Sequence, residues 1–265
     1  MAGPFSSETV VEVALERAPL ARVFAQARIP GMLTMQGSER ERAFEAITAE
    51  LGTDYPVLER LEELQVDPAA SAGSNVRTGH LWRLRSGDDR WQVTVGETFV
   101  TLDVQKYRDR DEFIERLSPV LDVYGRVSGA PYTERLGVRY VNRLDDQDDL
   151  LRIDQLMRPE AVGGLAVPRD ERVVLARMLC ESVYVVDTHL LLARWGLLPP
   201  GAVVDPVIPP AEFSSWIIDL DSFTEERQPW GPGLADTART LATTAYRYFR
   251  WVVTDEFIET YRGAS

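Results

Sequence analysis

Hydrophobic and polar positions alternate most plainly between His80 and Gln105. His80–Arg85 alternates, Gly87-Asp88-Asp89 turns, Trp91–Val95 alternates, Gly96-Glu97 turns, and Phe99–Gln105 alternates again. Short alternating runs broken by Gly and Asp predict an antiparallel meander. In its third run Val100, Leu102 and Val104 share one face, and Thr101, Asp103 and Gln105 the other, because strand side chains point to opposite sides in turn. Tyr132–Leu144 reads as one further strand, with Arg135, Arg139 and Arg143 on one side and Leu136, Val138 and Tyr140 on the other. Leu20–Ile29, a long run Arg172–Val186 turning at Asp187 into Thr188–Trp195, and Trp216–Asp221 are read as the remaining strands.

The period changes to that of a helix in three places. Ser38 is expected to cap Glu39–Leu51, where Phe44, Ile47 and Leu51 are spaced by three and four. A second helix begins at Asp109 and gathers Phe113, Leu117, Val120, Leu121 and Tyr124, with Pro119 expected to kink or split it. A third runs from Leu234 toward Tyr261 on the stripe Leu241, Ala245, Tyr248, Phe249 and Val252, with Thr254 as cap of a separate last segment. Tyr246, Tyr248 and Trp251 point to different sides of this helix, which offers part of it to a partner. Val10–Arg17 is open between helix and strand, Val57–Val66 has no clear register, and Asp67–Gly79 reads as a loop. Asp145–Asp149 is a charged hinge before a short helix at Leu150–Met157, and Pro199–Pro210 is too rich in proline for a sheet interior.

These elements predict an α+β protein whose antiparallel sheets are backed by helices in a single unit, 1–265. Meander, Asp-bearing strand and amphipathic helix recur in order, which suggests related halves at about 10–145 and 146–263. In that scheme Asp103 and Asp219 take comparable places.

Composition narrows function by exclusion. A net charge of −13 disfavours a general nucleic-acid binder, whose affinity comes from neutralising phosphates. Cys180 is the only cysteine, so no intrachain disulfide forms; beside Met178, Leu179 and Val183 it is expected as a small buried hydrophobe. No basic segment followed by an apolar run opens the chain, and no apolar stretch is of spanning length, so a cytoplasmic protein is expected.

The segments APLARVFAQARIP, LDVQKY, RLGVRYVNR, IDLDSF and a helix ending WVVTDEF follow one another along nearly the whole chain. Together they are similar to a sporadically distributed family of bacterial and archaeal proteins, and the most specific piece is the R-x-G-x-R-Y-x-N strand, Arg135–Asn142. The resemblance implies a full-length unit of patchy occurrence, compatible with defence or mobile genes. It carries over no catalytic residue or cofactor.

The strongest candidate chemistry is the arginine face. Guanidinium forks suit carboxylate or phosphate, and Gly137 leaves space between Arg135 and Arg139. Arg135, Arg139, Asn142, Asp103, Asp219 and Asp221 form the candidate binding set, with Lys106 and Tyr107 as possible companions. The competing expectation is that the arginines pair with Asp103, Asp219 and Asp221 as a structural network, since burying unpaired charge is costly. The aspartates of Asp145–Asp149 lack the glycine and spacing of a calcium loop. His80 and His189 lack a third metal ligand, Gly163-Gly164 is no phosphate loop, and no nucleophile, Walker or dinucleotide motif appears. The leading expectation is a non-catalytic binding or regulatory protein that engages a protein partner or itself. The runner-up is an enzyme or sensor for a phosphorylated or carboxylated small molecule.

Overall fold

The structure, a computed structural model, describes residues 3–6, 10–66, 76–204 and 208–263, with backbone alone for 62–66 and 76–78. The chain enters as β1 (Leu20–Arg28), then α1 (Gly37–Leu51), β2 (Val57–Val66), β3 (Val76–Arg85), β4 (Trp91–Val95), β5 (Phe99–Val104) and α2 (Arg110–Ser128). A short β6 (Tyr132–Thr133) precedes β7 (Arg135–Leu144), α3 (Gln147–Leu151) and α4 (Ile153–Leu156). Then come β8 (Cys180–Val186), β9 (His189–Leu198), β10 (Ser215–Thr224), β11 (Gln228–Pro229), α5 (Gly233–Val252) and α6 (Asp255–Arg262).

Nine strands form one antiparallel sheet in the order β2-β3-β4-β5-β1-β7-β10-β9-β8, so β1 and β7 meet at its centre. Outside each central strand lies the last strand of the meander that follows it: β5 beside β1, and β10 beside β7. Asp103 sits opposite Phe24, Phe24 opposite Arg139, and Arg139 opposite Asp221. Asp221, rather than Asp219, therefore shares a cross-strand row with Asp103.

Alternation decides which face is covered. Val23, Ala25 and Ala27 of β1, Val100, Leu102 and Val104 of β5, Leu136 and Val138 of β7, and Trp216, Ile218 and Leu220 of β10 are all buried. Strands β1, β3, β4, β5 and the start of β7, with α1, α2 and the start of α5, enclose one core cluster; the rest of α5, α4 and α6 enclose a second over β7, β9 and β10. A third, small cluster (Val141, Leu198, Ile208, Ile217) lies on the opposite face, where the proline-rich excursion folds over one end of the sheet.

Several expectations need correction. Ser38 is inside α1, which starts at Gly37 after Gln36 without a side-chain cap. Val10–Arg17 is neither helix nor strand. The loop reading of Asp67–Gly79 falls outside the described residues at 67–75, and β3 already begins at Val76. Pro119 does not split α2, which is continuous and capped by the Asp109 carboxylate on the Glu112 amide. Tyr132–Thr133 leaves the main sheet to pair with Gln228–Pro229. Asp145–Asp149 is no hinge: Asp146 caps α3, and Asp149 is buried against Arg152 and Tyr261. Only Cys180–Val186 of the long β-rich run is strand, at the sheet edge, and Cys180 is half-buried there. The last helix is two, with Thr254 accepting from the Phe257 amide as expected.

One helix contact is testable by substitution. A Cβ at Gly125 of α2 would fall 1.6 Å from Nε1 of Trp230. Gly125→Ala is expected to lower stability by about 1–3 kcal/mol through overpacking, despite alanine's advantage of about 1 kcal/mol in a helix. Urea unfolding at constant m-value measures it; a variant as stable as the parent would show that Trp230 does not brace α2.

Candidate functional site

The face of the sheet away from the helices carries the predicted arginines, and the register arranges them in rows. One row reads Val183, Leu192, Asp221, Arg139, Phe24, Asp103. The row on one side is Val185, Leu190, Phe223, Gly137, Gln26, Thr101. On the other side are Glu181, Arg194, Asp219, Val141 and Arg22. Arginines, carboxylates and rings thus alternate across six strands.

Pairing within these rows is diagonal. Arg139 donates from Nε and Nη2 to the two oxygens of Asp219, both at 2.7 Å, and the pair is buried, with 8% and 2% of its surface exposed. Arg135 Nη2 donates to Asp221 Oδ2 at 2.8 Å, and Arg22 pairs with Asp103. Arg194 donates to Glu181 at 2.9 Å and lies 3.7 Å from Asp219. Arg143 bonds the Pro209 carbonyl at 2.6 Å and so pins the proline-rich excursion.

Rings fill the spaces between the charges. The Phe24 ring lies under both Arg22, at 4.9 Å, and Arg139, at 5.7 Å. Arg135 lies over Phe223 at 4.3 Å, a cation–π contact that a guanidinium makes well. Gly137 permits it: a Cβ there would come within 2.6 Å of Arg135 Nη1. Burial raises the carboxyl pKa of Asp103 and of Asp221, against the opposing pull of Arg22 and Arg135 respectively. The arrangement is a carboxylate-filled guanidinium belt. It resembles an interface surface in composition more than an open anion pocket, because each buried fork already holds its carboxylate.

Of the candidate set, Arg135, Arg139, Asp103, Asp219 and Asp221 come together. Asn142 does not: it shares the helix-side face with Tyr140, in the row of Leu20 and Ile218. Tyr107 is also on the helix side, its hydroxyl 3.3 Å from that of Tyr140, and Lys106 stays exposed. His189 is buried with Nε2 2.9 Å from Thr244 Oγ1, and burial lowers its pKa. Among the described residues no group of three His, Cys, Asp or Glu side chains could hold a metal ion.

The sequence reading missed Arg22, Phe24, Arg194, Phe223 and the apolar strip of β8 and β9. A period-two reading of LARVFAQAR would have found Arg22 and Phe24 opposite Val23, Ala25 and Ala27. Val183 and Val185 are 57% and 78% exposed, and half-buried Leu192 and Leu190 lie beside them.

Arg139→Met is expected to cost about 3–5 kcal/mol, because it leaves the Asp219 carboxylate buried without its fork. Adding Asp219→Leu should restore most of that loss; a double variant as unstable as the single would refute the pairing argument. The folded state holds the Asp221 proton more tightly than the unfolded chain does. Its contribution to stability therefore falls as pH rises from below the ordinary value of 3.8 to above the raised one. The stability of Asp221→Asn relative to the parent should increase with pH across that window, read by urea titration at several pH values.

No protein-family model, curated protein or solved structure matches this chain.

Proposed function

We propose that this chain is a cytoplasmic, non-catalytic binding protein that engages a protein partner through the uncovered face of its sheet. The observation that carries the reading is the exposed apolar strip beside the guanidinium belt. Val183 and Val185 stand out from an edge strand, with Leu190, Leu192 and Phe223 continuing the strip inward. Contiguous exposed apolar surface next to arginines and aromatic rings is the composition of a docking face.

Charge names the partner's chemistry. On β5, β1, β7, β10, β9 and β8 this face carries Arg22, Arg28, Arg135, Arg139, Arg143 and Arg194 against Asp103, Glu181, Asp219 and Asp221. It is thus net positive in a chain of net charge −13. Arg28 is exposed, with no carboxylate against it among the described residues. A partner surface with an apolar centre and an acidic flank is complementary to it.

A photo-crosslinking residue at Val185, introduced in the native host, should capture one defined protein, whereas the same residue at Leu33, which is 86% exposed elsewhere, should not. Val183→Asp with Val185→Asp should weaken that association by about tenfold or more while leaving the melting temperature within a degree or two, since both side chains are exposed. Capture from both positions alike, or capture of nucleic acid from Val185, would refute the reading.

A further inference from the structure

On the other side of the sheet, above β1, β7 and β10, lies a cavity of about 260 Å³. Its floor is Leu20, Tyr140, Asn142 and Leu220; α5 contributes Ala245, Tyr246 and Phe249 to its wall, and the segment leading into α2 contributes Tyr107. The segment 12–15 lies across it, tied down by the Val13 amide on the Tyr246 hydroxyl at 2.8 Å and by Glu12 on Arg110 at 2.6 Å.

Asn142 is the feature that the fold leaves unexplained. It is 4% exposed, lines this cavity, and its side-chain amide makes no hydrogen bond among the described residues. Its carbonyl and nitrogen are open to the cavity rather than sealed in the core, so an occupant with matching groups would take up bonds that the protein itself does not supply. The Tyr107 and Tyr140 hydroxyls, 3.3 Å apart, stand on the same side with hydrogen-bonding capacity left over. Burial raises the pKa of both phenols, that of Tyr140 to about 12, so each is a neutral donor and acceptor.

We propose that this cavity binds a neutral organic molecule with an apolar body of one or two rings and a carboxamide-like end that pairs with Asn142. Neutrality follows from the lining charges, which cancel in pairs: Glu12 with Arg110, and Asp109 with Arg108 at 2.8 Å. Among the described residues no lining cation or anion is left to compensate a charged ligand, and uncompensated charge in such a site is expensive. The donor–acceptor end follows from the Asn142 amide, whose carbonyl accepts while its nitrogen donates, so it matches a group that does both side by side. The size follows from the volume, which exceeds the roughly 150 Å³ that holds benzene and falls just short of the roughly 300 Å³ at which drug-sized pockets begin.

The test uses benzamide, benzoate and toluene as probes of the full chain, by calorimetric titration and ligand-observed NMR. Benzamide should bind saturably and about tenfold or more tighter than benzoate or toluene, the discrimination expected when a buried polar group gains its partner. Asn142→Leu should erase the advantage of benzamide over toluene and leave the melting temperature close to that of the parent, because the amide faces the cavity and holds no protein partner. Tyr140→Phe should keep part of the preference, since one hydroxyl remains beside Asn142. Absence of saturable benzamide binding, benzoate binding as tightly as benzamide, or a preference that survives Asn142→Leu would each overturn the proposal. Should Asn142→Leu fail to fold, the comparison of the three probes on the parent chain decides alone. The cavity and the guanidinium belt lie on opposite faces, so neither reading stands or falls with the other.

Discussion

The antiparallel pairing of β1 with β7 is the contact on which the rest depends. It fuses five strands and four strands into one sheet, and it sets Phe24 against Arg139 at the centre. From that register follow the diagonal forks on one face and, on the other, the meeting of Leu20, Tyr140 and Asn142 beneath α5. A slip of one residue would exchange the two faces of β7 and drive its arginines into the core.

Among the described residues helices cover one face only, and the charges on the other face show how the molecule manages it. A sheet face open to water needs no apolar cover, yet Arg139 and Asp219 are buried on it all the same. Their neighbours contribute to the burial: Phe24 lies under the Arg139 guanidinium, and Arg194 lies 3.7 Å from Asp219. The forks of Arg22, Arg135, Arg139 and Arg194 are each held by a carboxylate, and three of them also lie against a ring. Side chains ordered before a partner arrives lose little freedom on binding, which lowers the entropic cost of association.

Much of this architecture was legible in the residues, for a simple reason. Period-two alternation survives any tertiary arrangement that buries one face, so Val100, Leu102 and Val104 were placed correctly without knowledge of their neighbours. Thr254 was legible as a cap because capping is local, and the start of α2 at Asp109 was legible from the change of period. Which carboxylate Arg139 would take was not legible, because Asp219 lies two residues from its register partner and the choice depends on how β10 slides against β7. Asn142 was grouped with the arginines by its place in a motif, although its parity with Tyr140 put it on the opposite side. The cavity was beyond reach, since five segments distant in sequence build it. The run from Arg172 had strand composition throughout, but only Cys180–Val186 pairs with β9 as a strand, with the Met178 amide adding one bond to the Leu197 carbonyl.

Helix α5 has a consequence for how the molecule comes apart. Its first half, from Leu234 to Ala242, packs into one core cluster, and its second half, from Ala245 to Val252, into the other. Tyr140 touches both clusters from the sheet below. Neither cluster can melt while the other keeps its half of a continuous helix and a shared central strand pair, so the two cores are bound into one cooperative unit. Local opening is then left to the periphery, and the nearest peripheral element to the cavity is the irregular segment across its mouth.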